Sequence, residues 1–150
     1  MKPILTYIAF IVIVVGLGMF SGLINPPGDW YATLEKPFFN PPAWLFGPVW
    51  TALYVMIGIA GARIWLKAPA SAAMQVWFGQ LVLNLLWSPA FFRLQSPALG
   101  LVVVLSMLVA VIAFIVLARR IDRAASYLFL PYAAWVGFAA LLNLSILILN

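Results

Sequence analysis

Five apolar stretches, each about as long as a helix that crosses a bilayer, occupy most of this 150-residue chain. Hydrocarbon offers no partner to a backbone N–H or C=O group, so a segment that enters it must satisfy those groups internally, as an α-helix does. The sequence therefore predicts an all-α integral membrane protein, in which residues 1–150 form a single bundle of five transmembrane helices. The predicted spans are residues 4–24, 43–66, 72–92, 97–118 and 126–149.

Composition supports the same class, because 67% of the residues are hydrophobic and only 7% are charged. That leaves too little polar surface to cover a soluble globular protein. A long loop, residues 25–42, separates the first two predicted spans, and three short connections join the others. Short connections require neighbouring helices to pack antiparallel, so we expect one compact bundle and no second domain.

The basic residues predict the orientation of the bundle, since Lys and Arg next to short loops are retained in the cytoplasm. Only Lys36 and Arg93 flank the side that carries the long loop. The other six are Lys2, Arg63, Lys67, Arg119, Arg120 and Arg123. We therefore expect a cytoplasmic N-terminus, with the first loop and the C-terminus outside, in a bacterial inner rather than outer membrane. This distribution accounts for the net charge of +5, and we expect no nucleic-acid partner.

The chain contains neither cysteine nor histidine, which excludes several kinds of chemistry. A disulfide, a Ser/His/Asp triad, a zinc site of the usual kind and a His or Cys ligand to haem iron all need one of these residues. Asp29 and Glu35 lie in the long loop, and Asp122 is predicted at the opposite face. We expect no conventional catalytic site, no metal site and no required cofactor.

The segment 25–42 combines polar residues with prolines and aromatic residues, and we expect it to be an irregular loop. Trp30, Tyr31, Phe38 and Phe39 provide apolar surfaces that a flat ligand could order. Because the segment can move without breaking a span, we expect a lid loop whose order depends on ligand.

Polar and aromatic side chains also occur inside the predicted spans, where a polar group must find a partner or line a cavity. On helices, Asn84 shares one face with Trp87, and Trp135 shares one stripe with Asn143. The residues expected near the long loop are Trp50, Tyr54, Asn84, Trp87 and Trp135. They form either a pocket for a flat apolar ligand or ordinary helix packing.

Packing interpretations also exist for single residues. Asn143 is typical of a hydrogen bond between helices, and Trp65 and Trp77 are typical of anchors at the membrane interface. Gly18 and Gly22 have the spacing of a helix dimerisation face, as do Gly58 and Ala62.

Three segments, WYATLEKPFFNPPAWLFGPVWTALY at 30–54, LNLLWSPAFF at 83–92 and LPYAAWVGFAALLNLSILILN at 130–150, closely resemble the TspO/MBR family. This family of tryptophan-rich sensory proteins includes the mitochondrial translocator proteins, or peripheral benzodiazepine receptors. The resemblance implies a five-helix, usually dimeric protein that binds porphyrins, sterols and synthetic benzodiazepine-receptor-type ligands beneath the first loop. It implies ligand-lining roles for Tyr31, Trp50, Tyr54, Asn84, Trp87, Trp135, Ala139 and Asn143.

The resemblance favours a membrane receptor or carrier for porphyrins, namely protoporphyrin IX and haem, and for other flat apolar ligands, with a sensory or regulatory role in tetrapyrrole and stress metabolism. One alternative is an enzyme that degrades protoporphyrin in light and oxygen, since Trp50 and Trp135 match tryptophans linked to that activity in some relatives. A further alternative is binding or transport of a sterol or lipid. The animal cholesterol motif is absent here, because Leu144–Asn150 contains no aromatic and no basic residue.

Overall fold

A computed structural model describes residues 2–150. These residues form helices joined by turns and short connections. Five helices are long, and we refer to them as the long helices: α1, α3, α4, α5 and α7. Two helices of six residues, α2 and α6, lie between them. In chain order the helices are α1 (Pro3–Ile24), α2 (Gly28–Thr33), α3 (Ala43–Lys67), α4 (Ala72–Ser88), α5 (Pro97–Ala118), α6 (Arg123–Leu128) and α7 (Leu130–Leu149).

Local sequence explains where several helices begin. Proline, whose missing N–H would be unpaired in a first turn, occupies that turn in α1, α5 and α7. The side chain of Ser71 accepts a hydrogen bond from the Met74 N–H at 3.2 Å, and so caps α4. Ser96 and Asp122 cap α5 and α6 in the same way.

Four helical segments within residues 2–150 are long and apolar enough to cross a membrane. They are Pro3–Ile24, Ala43–Lys67, Pro97–Ala118 and Arg123–Leu149. The protein is therefore an integral membrane protein with an all-α fold. The third predicted span, 72–92, is not continuous α-helix, because α4 ends at Ser88 and a π-helical turn, Pro89–Arg93, follows. Pro89 lacks the N–H that an α-helix needs at that point. The count of five spans stays a prediction.

The expectation of an irregular loop at 25–42 is wrong for six of its residues, which form α2. Gly28 enters this helix with φ +67°, a conformation that glycine adopts without strain. Asp29 lies in the first turn, where its charge favours the helix N-terminus. A segment this short has no apolar period that sequence reasoning could detect.

The core lies where α1 packs on α3 and where α5 packs on α4 and α7. Trp77 is only 1% exposed and its Nε1 donates to the Ile57 carbonyl oxygen at 2.9 Å. Its ring lies against Gly61, which has no side chain to obstruct it. The prediction that Trp77 is an interface anchor is therefore wrong, while Trp65 is exposed near the end of α3.

Two of the small residues proposed as dimerisation faces, Gly18 and Gly58, serve packing within one chain. A Cβ atom on Gly18 would collide with the ring of Tyr54, and one on Gly58 would lie 2.8 Å from the Cα of Ile11. These two glycines let α1 and α3 approach closely. Gly22 has open space around its Cα and does not take part in this contact.

The bundle has two distinct ends. At one, which we call the loop end, the Asn150 side chain donates to the Glu35 carbonyl oxygen at 2.9 Å and accepts from the Glu35 N–H at 3.1 Å. The C-terminus and the segment 25–42 therefore lie together. At the other, which we call the arginine end, Asp122 accepts hydrogen bonds from Arg63 and Lys67.

Candidate functional site

A cavity of about 620 Å³ lies at the loop end of the bundle. All five long helices contribute lining residues, and Pro27, Tyr31, Lys36 and Asn40 of the segment 25–42 add to them. Its volume falls in the range of about 300 to 1,000 Å³ that small-molecule sites occupy. We call it the loop-end cavity.

Aromatic rings form much of the wall. Trp50 and Tyr54 are one helical turn apart on α3, and their ring centroids are 5.5 Å apart. Trp87 of α4 stacks on Phe91 with centroids 5.0 Å apart and an angle of 23° between the planes. Because α4 gives way to the π-helical turn at Pro89, Phe91 continues the same wall. Broad aromatic surfaces of this kind suit a flat apolar ligand.

Both polar atoms of the Asn143 side-chain amide form hydrogen bonds. It accepts a hydrogen bond from the Trp87 indole N–H at 3.0 Å and donates to the Pro97 carbonyl oxygen at 2.7 Å. These bonds join α7 to α4 and to the start of α5. A Cβ atom on Gly100 would lie 2.9 Å from the Asn143 Oδ1 atom, so this glycine makes room for the amide. Asn143 therefore holds the wall in place.

A second set of linked hydrogen bonds runs from the cavity into the core. The Asn84 amide donates to the Tyr132 hydroxyl at 2.7 Å, and that hydroxyl donates to the Gln80 side-chain oxygen at 2.7 Å. All three residues are buried. These hydrogen bonds fix the orientation of the Asn84 side chain, which lines the cavity.

Two cavity-lining residues carry a buried polar atom that has no hydrogen-bond partner among residues 2–150: Asn25, at its Oδ1 atom, and Trp135, at its indole Nε1. Of the two, Trp135 belongs to the aromatic wall. Its ring lies 5.8 Å from that of Phe46, centroid to centroid, and both residues line the cavity. A buried N–H without an acceptor is destabilising.

Lys36 is the one charged side chain that lines the loop-end cavity within residues 2–150. Its ammonium group donates to the carbonyl oxygens of Tyr31 at 2.9 Å and Leu34 at 3.2 Å. It also lies 4.5 Å from the centroid of the Tyr31 ring, a distance typical of a cation–π contact. Burial raises the pKa of the Tyr31 hydroxyl, so the phenol stays neutral at ordinary pH.

Part of the wall reaches the surface of the bundle. Met19, Gly22 and Leu23 of α1 line the cavity and are exposed, as are Gly47 and Thr51 of α3. A ligand held here would be enclosed by aromatic rings on one side and would meet exposed small and apolar residues on the other.

The structure brings together all eight residues to which the family resemblance gave ligand-lining roles. They are Tyr31, Trp50, Tyr54, Asn84, Trp87, Trp135, Ala139 and Asn143. Ligand binding at these residues stays a prediction. The three residues predicted only for the lid do not line the cavity: Trp30 packs against Phe91, Phe38 is 99% exposed, and Phe39 packs against Phe138.

Several lining residues were not predicted from the sequence. Lys36 and Asn40 line the cavity beside Tyr31, although only aromatic residues of the segment 25–42 were predicted to meet a ligand. The lysine is the only cation of that segment, which was an available signal. Gly18, Met19 and Met107 also line the cavity, and an apolar run offers no local sign of such a role.

Comparison with known proteins assigns the chain to a family. A sequence profile described as the TspO/MBR family matches residues 9–149. The chain belongs to the TspO/MBR family. It is 40% identical to the tryptophan-rich protein TspO of Chlorobaculum tepidum, over 99% of this chain and 98% of that protein. It is 43% identical to the tryptophan-rich protein TspO of Archaeoglobus fulgidus, over 98% of each.

The chain is less similar to a human protein. The chain is 35% identical to the translocator protein of Homo sapiens, over 85% of this chain and 80% of that protein. The family match covers the helices that surround the loop-end cavity. No group of three or more acidic or metal-binding side chains lies close enough to hold a metal within the described part of this TspO/MBR protein.

Proposed function

We propose that this protein is a membrane receptor or carrier that binds porphyrins, protoporphyrin IX in particular, in the loop-end cavity. The observation that carries the proposal is a cavity of about 620 Å³ walled by Trp50, Trp87, Trp135 and two tyrosines. We infer a sensory or regulatory role in tetrapyrrole and stress metabolism from membership of the TspO/MBR family.

The chemistry of the wall favours a flat, largely apolar ligand with a few polar groups at its edge. Stacked and tilted rings match a flat macrocycle, while Asn84 and Lys36 offer a small number of polar contacts. The chain has no histidine or cysteine to ligate iron. Metal-free protoporphyrin should therefore bind at least as tightly as haem.

The direct test is titration of detergent-solubilised protein with protoporphyrin IX, followed by the visible absorption of the porphyrin. Trp135→Ala removes a buried aromatic contact, and we expect about 5- to 150-fold weaker binding, from about 1 to 3 kcal/mol of lost burial. Trp65→Ala is the matched control, because Trp65 is exposed and does not line the cavity. Equal affinities of the two variants, or a strong preference for haem, would contradict the proposal.

A second candidate is light-driven degradation of protoporphyrin by dioxygen. The observation that favours it is the presence of both Trp50 and Trp135 in the wall of one cavity, where each could donate an electron to an excited porphyrin. The test is porphyrin loss under illumination in air, with a dark control and an argon control. If the variant with both Trp50→Phe and Trp135→Phe loses porphyrin as fast as the unaltered protein, only binding remains.

The same cavity is proposed to accept synthetic benzodiazepine-receptor-type ligands. A sterol or other lipid is a weaker candidate, because Leu144–Asn150 lacks the aromatic and basic residues of the animal cholesterol motif. Competition with bound protoporphyrin tests each compound. We also propose a homodimer, which crosslinking in membranes tests.

We propose five membrane crossings, an inner-membrane location and a cytoplasmic N-terminus. The chain has no cysteine, so single cysteines can be introduced at exposed positions without background. A membrane-impermeant maleimide added to spheroplasts should label Phe38→Cys and leave Lys2→Cys unlabelled until the membrane is permeabilised. Phe38 is 99% exposed in the segment 25–42, so its reactivity depends only on the side of the membrane. The reverse labelling pattern would show that the orientation is opposite to the one proposed.

A further inference from the structure

A second cavity, of about 670 Å³, lies at the arginine end of the bundle, opposite the loop-end cavity. It is lined by two apolar residues from the last turn of α5 and by three arginines. These residues are Ile115, Val116, Arg119, Arg120 and Arg123. Apolar side chains and guanidinium groups thus meet in one concave surface.

The three arginines are not neutralised by the protein. None of their side chains forms a salt bridge or a hydrogen bond within residues 2–150. The one acidic residue near them, Asp122, is 6% exposed and already pairs with Arg63 and Lys67. The chain's other two acidic residues lie in the segment 25–42 at the loop end. The cavity therefore offers uncompensated positive charge.

An exposed apolar stripe runs along α5 from this cavity. Its members follow a spacing of three and four residues, which places them on one face of a helix. They are Val102, Leu105, Val109, Ile112 and Val116. With a rise of about 1.5 Å per residue the stripe is about 21 Å long, more than half of a hydrocarbon core of about 30 Å. An acyl chain of one leaflet could lie along it.

We propose that the arginine-end cavity is a binding site for an anionic phospholipid. The phosphate of the headgroup lies among Arg119, Arg120 and Arg123, and one acyl chain follows the stripe on α5. Guanidinium groups suit this ligand because their planar set of donors matches phosphate oxygens in pairs. The tendency of basic residues to face the cytoplasm explains an excess of charge at this end, but it requires neither a cavity nor an unpaired cluster.

Native mass spectrometry of the detergent-solubilised full chain can measure the binding of single lipids. The probe is long-chain phosphatidylglycerol, with phosphatidylcholine as the lipid of no net charge. We expect Arg120→Gln to weaken phosphatidylglycerol binding about fivefold, and the triple Arg→Gln variant at least about tenfold. Lys2→Gln is the matched control, because it removes one exposed positive charge from the same end without touching the cavity.

Two further measurements distinguish a lipid phosphate from a free phosphate as the ligand. Dihexanoyl phosphatidylglycerol has short chains and should bind more weakly than the long-chain lipid, since it cannot cover the stripe. Inorganic phosphate and glycerol phosphate should not compete at equal concentration. The proposal is overturned if Lys2→Gln and Arg120→Gln weaken binding equally, if phosphatidylcholine binds as tightly as phosphatidylglycerol, or if the soluble phosphates compete as well as the lipid. Each variant is checked for unchanged thermal unfolding, which the exposed positions of these side chains lead us to expect.

Discussion

Replacement of Lys36 by glutamine should abolish a preference of the protein for carboxylated porphyrins. Lys36 is the only cation that lines the loop-end cavity within the described residues, and protoporphyrin carries propionate carboxylates at one edge. Its ammonium group has three N–H donors, of which two are used by the carbonyl oxygens of Tyr31 and Leu34. One donor is therefore free for a ligand carboxylate.

The size of the effect follows from the setting of this side chain. An exposed ion pair contributes about 0.2 to 1 kcal/mol, and hydrogen bonds to charged groups contribute about 1.5 to 3 kcal/mol. Lys36 is half-buried against Tyr31, so we expect about 1 kcal/mol, or about fivefold in the dissociation constant. Protoporphyrin dimethyl ester, which lacks the charges, should bind the unaltered protein about fivefold more weakly than the free acid.

The assay is a thermodynamic cycle of two proteins and two ligands, measured by porphyrin absorption. Lys36→Gln also removes the lysine's bonds to the backbone and should loosen the segment 25–42, which weakens both ligands alike. That contribution cancels when the dissociation constant of the ester is divided by that of the free acid. This ratio should fall from about five in the unaltered protein to about one in Lys36→Gln. If the ratio stays at about five in Lys36→Gln, the reasoning is refuted. Lys2→Gln is the control and should leave the ratio of the two dissociation constants unchanged.

Four other predictions follow from the structure. Tyr31→Ala should weaken porphyrin binding about 5- to 150-fold in the same titration, because it removes an aromatic wall and the surface beneath the lysine. Trp77→Ala should lower the free energy of unfolding by about 3 to 5 kcal/mol in denaturation in mild detergent, since it leaves a large cavity. Gly18→Leu should reduce both stability and porphyrin affinity, because its side chain would displace the ring of Tyr54. Asp122→Asn should lower the thermal unfolding temperature at pH 7, and by clearly less at about pH 2, because the unfolded chain takes up a proton below about pH 4 that the folded carboxylate binds only at still lower pH.

The sign of the pH effect follows from the contacts of Asp122. Hydrogen bonds from Arg63, with help from Lys67 and the Ala125 N–H, hold the pKa of this carboxyl well below its usual range. The folded protein therefore binds the proton less readily than the unfolded chain does. The stabilisation is complete above the ordinary carboxyl pKa of about 4 and is lost as the pH falls toward the lowered value. A variant that loses as much stability at about pH 2 as at pH 7 would show that the charge is not the cause.

The long apolar helices could be predicted with accurate ends where charged or proline residues mark them. The predicted span 97–118 coincides with α5, which begins at Pro97 and ends before Arg119 and Arg120. The span 4–24 differs from α1 by one residue. The third span ends differently because Pro89 converts its last turn to π-helix, and the sequence pattern does not show which of several bends a proline will cause.

The core and the candidate site were only partly predictable, because helical spacing fixes which residues share a face but not which residues of other helices that face contacts. Trp77 lies near the start of α4 and was expected at the membrane interface. Its burial depends on Gly61 of α3, a partner that no local pattern identifies. Gly18 was likewise interpreted through its spacing from Gly22, whereas its neighbour is Tyr54 on another helix.

Hydrogen bonding divides the polar residues of the cavity wall into two groups. The Asn143 amide and the Trp87 indole bond to each other, and Asn143 also bonds to the Pro97 carbonyl oxygen, so these groups are committed to holding α4, α5 and α7 together. The Trp135 N–H lacks such a partner within residues 2–150. Because burying an unpaired donor costs about 1 to 3 kcal/mol, the fold tolerates a penalty at Trp135 that it avoids at Trp87. Trp87 and Asn143 therefore support the wall of the proposed porphyrin site, while the Trp135 N–H makes no hydrogen bond to another helix in the described part of the chain.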